Sequence, residues 1–211
     1  MELIIFSNPN NPTGYGFEIK DIKRVLEAFK DKIVLVDEAY SEFYGETMLP
    51  FIDEYKNLII TKTLSKAFGL AALRVGFLIS NKENVKELEK YKTPYNVNTI
   101  SQEIAIKVLE DKDRFKRNLN LIIKEREILF EKLSNIQEKA NEYGINIKFY
   151  KSKANFIYGE SDYKENLIEA LSNNDILIRN FNDNSFRITV GTESENKKVI
   201  EALEDFIKGG I

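Results

Sequence analysis

Four consecutive apolar residues, Ile33–Val36, run straight into Asp37 with no polar position between them. A one-sided strand would alternate, so an unbroken run of this kind predicts a strand buried on both faces, as in a parallel sheet. Two neighbours repeat the pattern. Leu3–Phe6 ends in SNPNNPTG (Ser7–Gly14), whose Asn-Pro steps and Thr-Gly can continue neither a strand nor a helix. Asn57–Thr61 turns out into Lys62–Lys66, and Val75–Ser80 reads as one more strand. Between the first two runs, Glu18–Lys30 brings Ile19, Ile22, Val25, Leu26 and Phe29 onto one helical face. This order predicts an α/β layer with its loops gathered on one edge.

The later half has a different rhythm. Asn84–Tyr91 reads as a short charged helix stopped by Pro94, and Asn98 or Thr99 can cap the next, with Ile100, Ile104, Val108 and Leu109 as its stripe. From Asp111 to Tyr143 a helical period persists until Gly144. Short strands follow at Ile145–Tyr150, Asn155–Tyr158, Ile176–Asn180 and Phe186–Val190, with a helix at Lys164–Asn173. Thr192 and Glu195 have the spacing of a capping box for a closing helix. The expected organisation is a partial large domain over 1–110, a long bridging helix over 111–144 and a small α+β domain over 145–211.

Composition narrows the chemistry. The chain has neither cysteine nor histidine, which excludes disulfides, thiolate or imidazole metal sites and a Ser-His-Asp triad. Any acid–base work falls to Lys, Tyr, Asp or Glu. A net charge of −3 argues against nucleic acid as a partner. No apolar run approaches a membrane span, so a soluble, cytoplasmic protein is expected.

Lys66 follows Thr63 and Ser65, with Gly69 and Ala71 letting backbone approach a ligand and Arg74 further on. Hydroxyls and a guanidinium can hold a phosphate while the amine sits beside whatever carries it. The chemistry that needs a fixed phosphate next to a reactive amine is Schiff-base formation with pyridoxal phosphate; the other reading is a solvated lysine on a loop. Asp37, at its strand end, is either salt-bridged structure or a ligand group, and Tyr40 is within reach of the same place. Asn11, fixed by Pro12, is either part of a plain turn or an amide aimed into a site at a strand's carboxyl end. Arg179 and Arg187, in or beside adjacent strands, need either internal carboxylates or an anionic ligand.

The motifs NPNNPTG (Asn8–Gly14), VDEAYSEF (Val36–Phe43) and TLSKAFGLAALRVGF (Thr63–Phe77) together resemble the fold-type I pyridoxal-phosphate enzymes, the aspartate aminotransferase superfamily. Within it, KAFGLAALRVG, TPYNVNTISQ (Thr93–Gln102) and RITVGTESEN (Arg187–Asn196) look like the histidinol-phosphate aminotransferase family. The resemblance implies part of a large, mainly parallel sheet domain followed by a smaller α+β domain, with pyridoxal 5'-phosphate as cofactor. It implies Lys66 as Schiff-base lysine and general base, and Asp37 holding the pyridine nitrogen protonated. Tyr40 and Asn11 would bind the cofactor's phenolic oxygen, Thr63, Ser65 and Arg74 its phosphate, Arg187 the substrate carboxylate or the corresponding end, and Arg179 a distal phosphate. The implied reaction is amino transfer between histidinol phosphate, or a similar phosphorylated amine, and 2-oxoglutarate in histidine biosynthesis, by a homodimer. The alternatives are a threonine-phosphate decarboxylase-like lyase, or a non-catalytic fragment that folds only with a partner. Ala72 stands where relatives more often have glycine, and relatives carry a long segment before the first motif, so impaired turnover is expected of this chain alone.

Overall fold

The computed structural model describes residues 2–209. It divides into two compact units, one of residues up to Asn10 with Gly16–Leu119, the other of Asn11–Tyr15 with Asn120 onward.

The first unit is built on a four-stranded sheet. β1 (Leu3–Ser7), β2 (Ile33–Asp37) and β3 (Leu58–Thr63) run parallel, and β4 (Gly76–Ser80) pairs antiparallel with β3, giving the order β1-β2-β3-β4. The helix between the first two strands, α1 (Ile19–Ala28), lays Ile22 and Leu26 against Val34, Val36, Leu58 and Ile60, all fully buried. Each such side chain stabilises the fold by about 1.5–3 kcal/mol relative to exposure. Parallel pairing aligns the strand ends, Ser7 beside Asp37 and Asp37 beside Thr61, so the chemically loaded loops after β2 and β3 leave the sheet side by side. After Asp37 the chain makes one short helix, α2 (Ser41–Tyr44), closed by Gly45 in the left-handed region at φ 85°. α3 (Lys82–Glu89) starts two residues before the expected Asn84, because the Asn81 side chain accepts the Asn84 N–H and caps it. Asn98 does the same for α4 (Thr99–Glu110), taking the Ser101 N–H at 2.9 Å.

α5 (Lys112–Glu142) is one uninterrupted helix, and the division at 119/120 falls inside it. In the second unit its buried Leu129, Leu133, Ile136 and Ala140 join a core with β5 (Ile147–Tyr150), β6 (Phe156–Ser161), α6 (Lys164–Ser172), β7 (Arg179–Asn180), β8 (Ser185–Thr189) and α7 (Glu193–Gly209). The sheet is wholly antiparallel, in the order β5-β6-β8-β7. The strand expected over Ile176–Asn180 shrinks to two residues. The Ile176 N–H is committed to the Leu171 carbonyl at the end of α6, and Asp175 before it sits at φ 58°, so this stretch completes a helix terminus instead of extending a ladder. At the start of α7 the capping box forms reciprocally, the Thr192 N–H donating to Glu195 Oε2 at 2.7 Å and the Glu195 N–H to Thr192 Oγ1 at 3.4 Å. Among the described residues no helix is long and apolar enough to cross a membrane.

Candidate active site

Six of the residues singled out above belong to the first unit. Asp37 ends β2, and its backbone is fixed from both sides: the Asn8 N–H donates to the Asp37 carbonyl, and the Glu38 N–H donates to the Thr61 carbonyl, each at 2.8 Å. Its carboxylate accepts from Thr61 Oγ1 at 2.9 Å and from the Ala39 N–H at 3.2 Å, both on Oδ1. Tyr40, at the N-terminus of α2, is buried to 5% exposure. Lys66 Nζ stands 5.4 Å from the centroid of that tyrosine ring, while Lys66 itself is exposed. The structure therefore brings the lysine and the tyrosine together from two adjacent strand ends.

The loop carrying Lys66 is set by backbone bonds. Leu64 N–H donates to Val75 O, Leu70 N–H to Leu64 O, and Gly69 N–H to Lys66 O at 3.0 Å. Leu64 and Val75 anchor it from below in a small apolar cluster with Phe68, Leu70 and Leu73. Thr63 Oγ1 accepts the Ser65 N–H at 3.0 Å, which folds the two hydroxyl residues into one turn. Arg74 adopts φ 56° and ψ 37° at the end of a 3-10 turn, its guanidinium donating to Ala71 O at 3.2 Å. A non-glycine residue held in the left-handed region is a costly conformation that clusters at ligand sites.

The other three residues belong to the second unit. Arg187 Nη1 donates to Asn11 Oδ1 at 2.7 Å. The guanidinium lies 4.6 Å from the Phe156 ring, and its Nε is buried without a hydrogen-bond partner among the described residues. Arg179 is the register partner of Arg187 across the β7–β8 pair and is exposed, 5.9 Å from the Phe181 ring. Like charges directly opposite on neighbouring strands repel, and an orphaned guanidinium N–H costs free energy. The Asn11 loop is seated by Gly14, whose carbonyl accepts the Lys153 N–H at 2.7 Å.

Two residues here carry no signal in the motifs. Thr61 meets Asp37 only through the parallel register, and Lys62 reaches Glu38 and Glu42 across the same two strands. A strand alignment placing Asp37 beside Thr61 is the one clue that finds them.

A carboxylate, a tyrosine and a lysine stand at neighbouring strand ends of this α/β sheet, and the fold is that of the fold-type I pyridoxal-phosphate enzymes. The model of the family described as aminotransferase class I and II matches residues 1–203, and the chain belongs to that family. It is 43% identical to the histidinol-phosphate aminotransferase of Caldanaerobacter subterraneus subsp. tengcongensis over 98% of its own length, and 37% identical to that of Pyrococcus furiosus over 97%. It spans 57% and 56% of those relatives, a little over half of their length. Among solved structures, the histidinol-phosphate aminotransferase of Clostridium acetobutylicum superposes with a TM-score of 0.87 at 28% identity, covering 99% of this chain and 65% of that one. The enzyme of Sinorhizobium meliloti, solved in complex with pyridoxal-5'-phosphate, gives 0.81 at 25% identity, covering 98% and 57%.

Proposed function

We propose that this chain carries the reactive lysine and most of the polar cofactor contacts of a cytoplasmic, homodimeric pyridoxal 5'-phosphate-dependent aminotransferase. The substrate pair is histidinol phosphate, or a similar phosphorylated amine, and 2-oxoglutarate. The observation that carries the reading is Lys66 Nζ standing 5.4 Å from the buried Tyr40 ring, on the strand edge where Asp37 also ends. The sequence similarity to histidinol-phosphate aminotransferases supports the substrate class.

The residues fit the cofactor on their own chemistry. The Thr61 hydroxyl and the Ala39 N–H both donate to Asp37 Oδ1, so Oδ2 would be the oxygen offered to a ligand nitrogen. The cofactor supplies a protonated ring that withdraws electrons from the substrate's α-carbon. Asp37 would hold that ring nitrogen charged through a carboxylate that its neighbours have already oriented. Tyr40 would donate to the phenolic oxygen, a role that the Asn11 amide would share. Thr63, Ser65 and Arg74 would hold the phosphate. Lys66 Nζ would take the proton from the substrate's α-carbon and deliver it to the cofactor, a transfer that its exposed side chain can reach. Arg187 binds the substrate's carboxylate or equivalent end, an anion satisfying the guanidinium N–H that is buried without a partner. Arg179 meets the distal phosphate.

The test is a visible titration of the chain with pyridoxal 5'-phosphate, then borohydride reduction and peptide mapping, beside Lys66→Ala. A new band absent from the variant, with the label on Lys66, is the expected result. A label spread over surface lysines, unchanged by Lys66→Ala, overturns the assignment.

A further inference from the structure

We propose that Thr61 is a positioning residue that fixes the side-chain rotamer of Asp37 and so decides where the carboxylate presents its second oxygen to the ligand. The proposal rests on the reading of Asp37 given above. Four observations carry it. Asp37 and Thr61 are directly paired in the β2–β3 register, and paired residues on neighbouring strands project to the same face. The Thr61 hydroxyl donates to Asp37 Oδ1 at 2.9 Å; an ionised carboxylate can only accept, which settles the direction. The Ala39 N–H reaches the same oxygen at 3.2 Å, so both donors crowd Oδ1 and neither touches Oδ2. The Asp37 backbone is pinned on either side by Asn8 N–H and by the Glu38–Thr61 bond, which leaves the side-chain torsions as its remaining freedom.

Those torsions are where a threonine matters. The first torsion of aspartate has several staggered wells, so a fixed backbone alone does not select one of them. Threonine is β-branched and stiff, and a strand holds its first torsion tightly. A hydroxyl on a stiff stem is thus a fixed point against which a soft carboxylate can be oriented. Serine would keep the donor with more play, and valine would keep the shape and lose the donor.

The experiment uses the whole chain as wild type, Thr61→Val and Thr61→Ser, with Asp37→Ala and the Asp37→Ala/Thr61→Val pair. Three-bond couplings about the first torsion of Asp37, measured by NMR without cofactor, read the rotamer directly. Wild type and Thr61→Ser should report one rotamer and Thr61→Val an average. Couplings unchanged in Thr61→Val overturn the proposal. Thr61→Val should also weaken pyridoxal 5'-phosphate uptake about fivefold, the loss of one modest hydrogen bond, and should change nothing in the Asp37→Ala background. A loss of equal size in both backgrounds makes Thr61 merely structural and overturns the proposal too. If wild type takes up no more cofactor than Lys66→Ala, the cofactor reading fails, and the couplings still decide whether Thr61 holds Asp37.

Discussion

Replacing Lys62 by methionine should unsettle the first unit more than any other single change of a charged residue there. Lys62 Nζ lies 2.9 Å from Glu42 Oε1 and 3.3 Å from Glu38 Oε2, and it also bonds the Ser41 hydroxyl. Glu38 is 1% exposed, and its other partners are the Met48 N–H at 2.6 Å and the Thr47 hydroxyl. Glu42 Oε2 is buried with no hydrogen-bond partner. Two carboxylates therefore share one ammonium, and removing the ammonium leaves both facing each other out of water. Breaking a buried pair from one side costs about 3–5 kcal/mol. The Lys62 and Glu42 side chains retain 19% and 14% exposure, and methionine keeps the apolar stem, so the lower end, about 3 kcal/mol, is the expected loss. With two compact units, global unfolding need not be two-state, so amide hydrogen exchange at Val34–Val36 and Leu58–Ile60 is the assay of choice. Adding Glu38→Gln to Lys62→Met should recover part of the loss, because the double variant no longer sets two carboxylates against each other. A loss below about 1 kcal/mol, or strict additivity in the double variant, would refute the claim that the ammonium neutralises this pair.

Two further substitutions test other parts of the fold. Gly14→Ala should cost about 2 kcal/mol or more, since Gly14 sits at φ 71° and a Cβ would lie 2.1 Å from Ser152 Oγ; Gly69→Ala, at φ 70° with nothing within 4 Å, should cost only about 1 kcal/mol. Loss of exchange protection at the Lys153 amide in the first variant is the check, and equal costs in the two variants would show that the close approach to Ser152 is not what matters. The Glu195 carboxyl is held below its usual 4.5, first by the Thr192 backbone N–H and then by the Thr192 hydroxyl. A depressed acid stabilises the native state above its ordinary value and loses that contribution as pH falls through the native one. Glu195→Gln should therefore flatten the acid limb of α7 stability below the usual 4.5, read by exchange at the Asn196 amide, and an unchanged limb would count against the capping box as its source.

The sequence announces the parallel strands through their unbroken apolar runs, and the reactive residues through motifs that sit where those runs stop. What it hides depends on partners distant along the chain. β4 is as apolar as its neighbours, and nothing in Gly76–Ser80 declares that it runs antiparallel. Asn11–Tyr15 reads as a turn after β1, yet it belongs to the second unit, where Gly14 seats it against Ser152 and Lys153. Ile176–Ile178 has strand composition, but the helix end before it claims the backbone N–H that a ladder would need.

The same limit explains why Thr61 and Lys62 pass unnoticed beside the motif that begins at Thr63. Successive residues of a strand point to opposite faces. Thr61 therefore meets Asp37 on one face, while Lys62 goes to the other and meets Glu38 and Glu42. Two adjacent residues on β3 thus answer two adjacent residues at the end of β2, one pair orienting the group that faces the ligand and the other binding the two strand ends into one piece. A one-residue slip of β3 that presented Lys62 to Asp37 would leave the buried Glu38 beside Thr63, without its ammonium. The cost of that misplaced charge holds the register in place, so the buried ion cluster secures the alignment on which the Thr61–Asp37 bond depends.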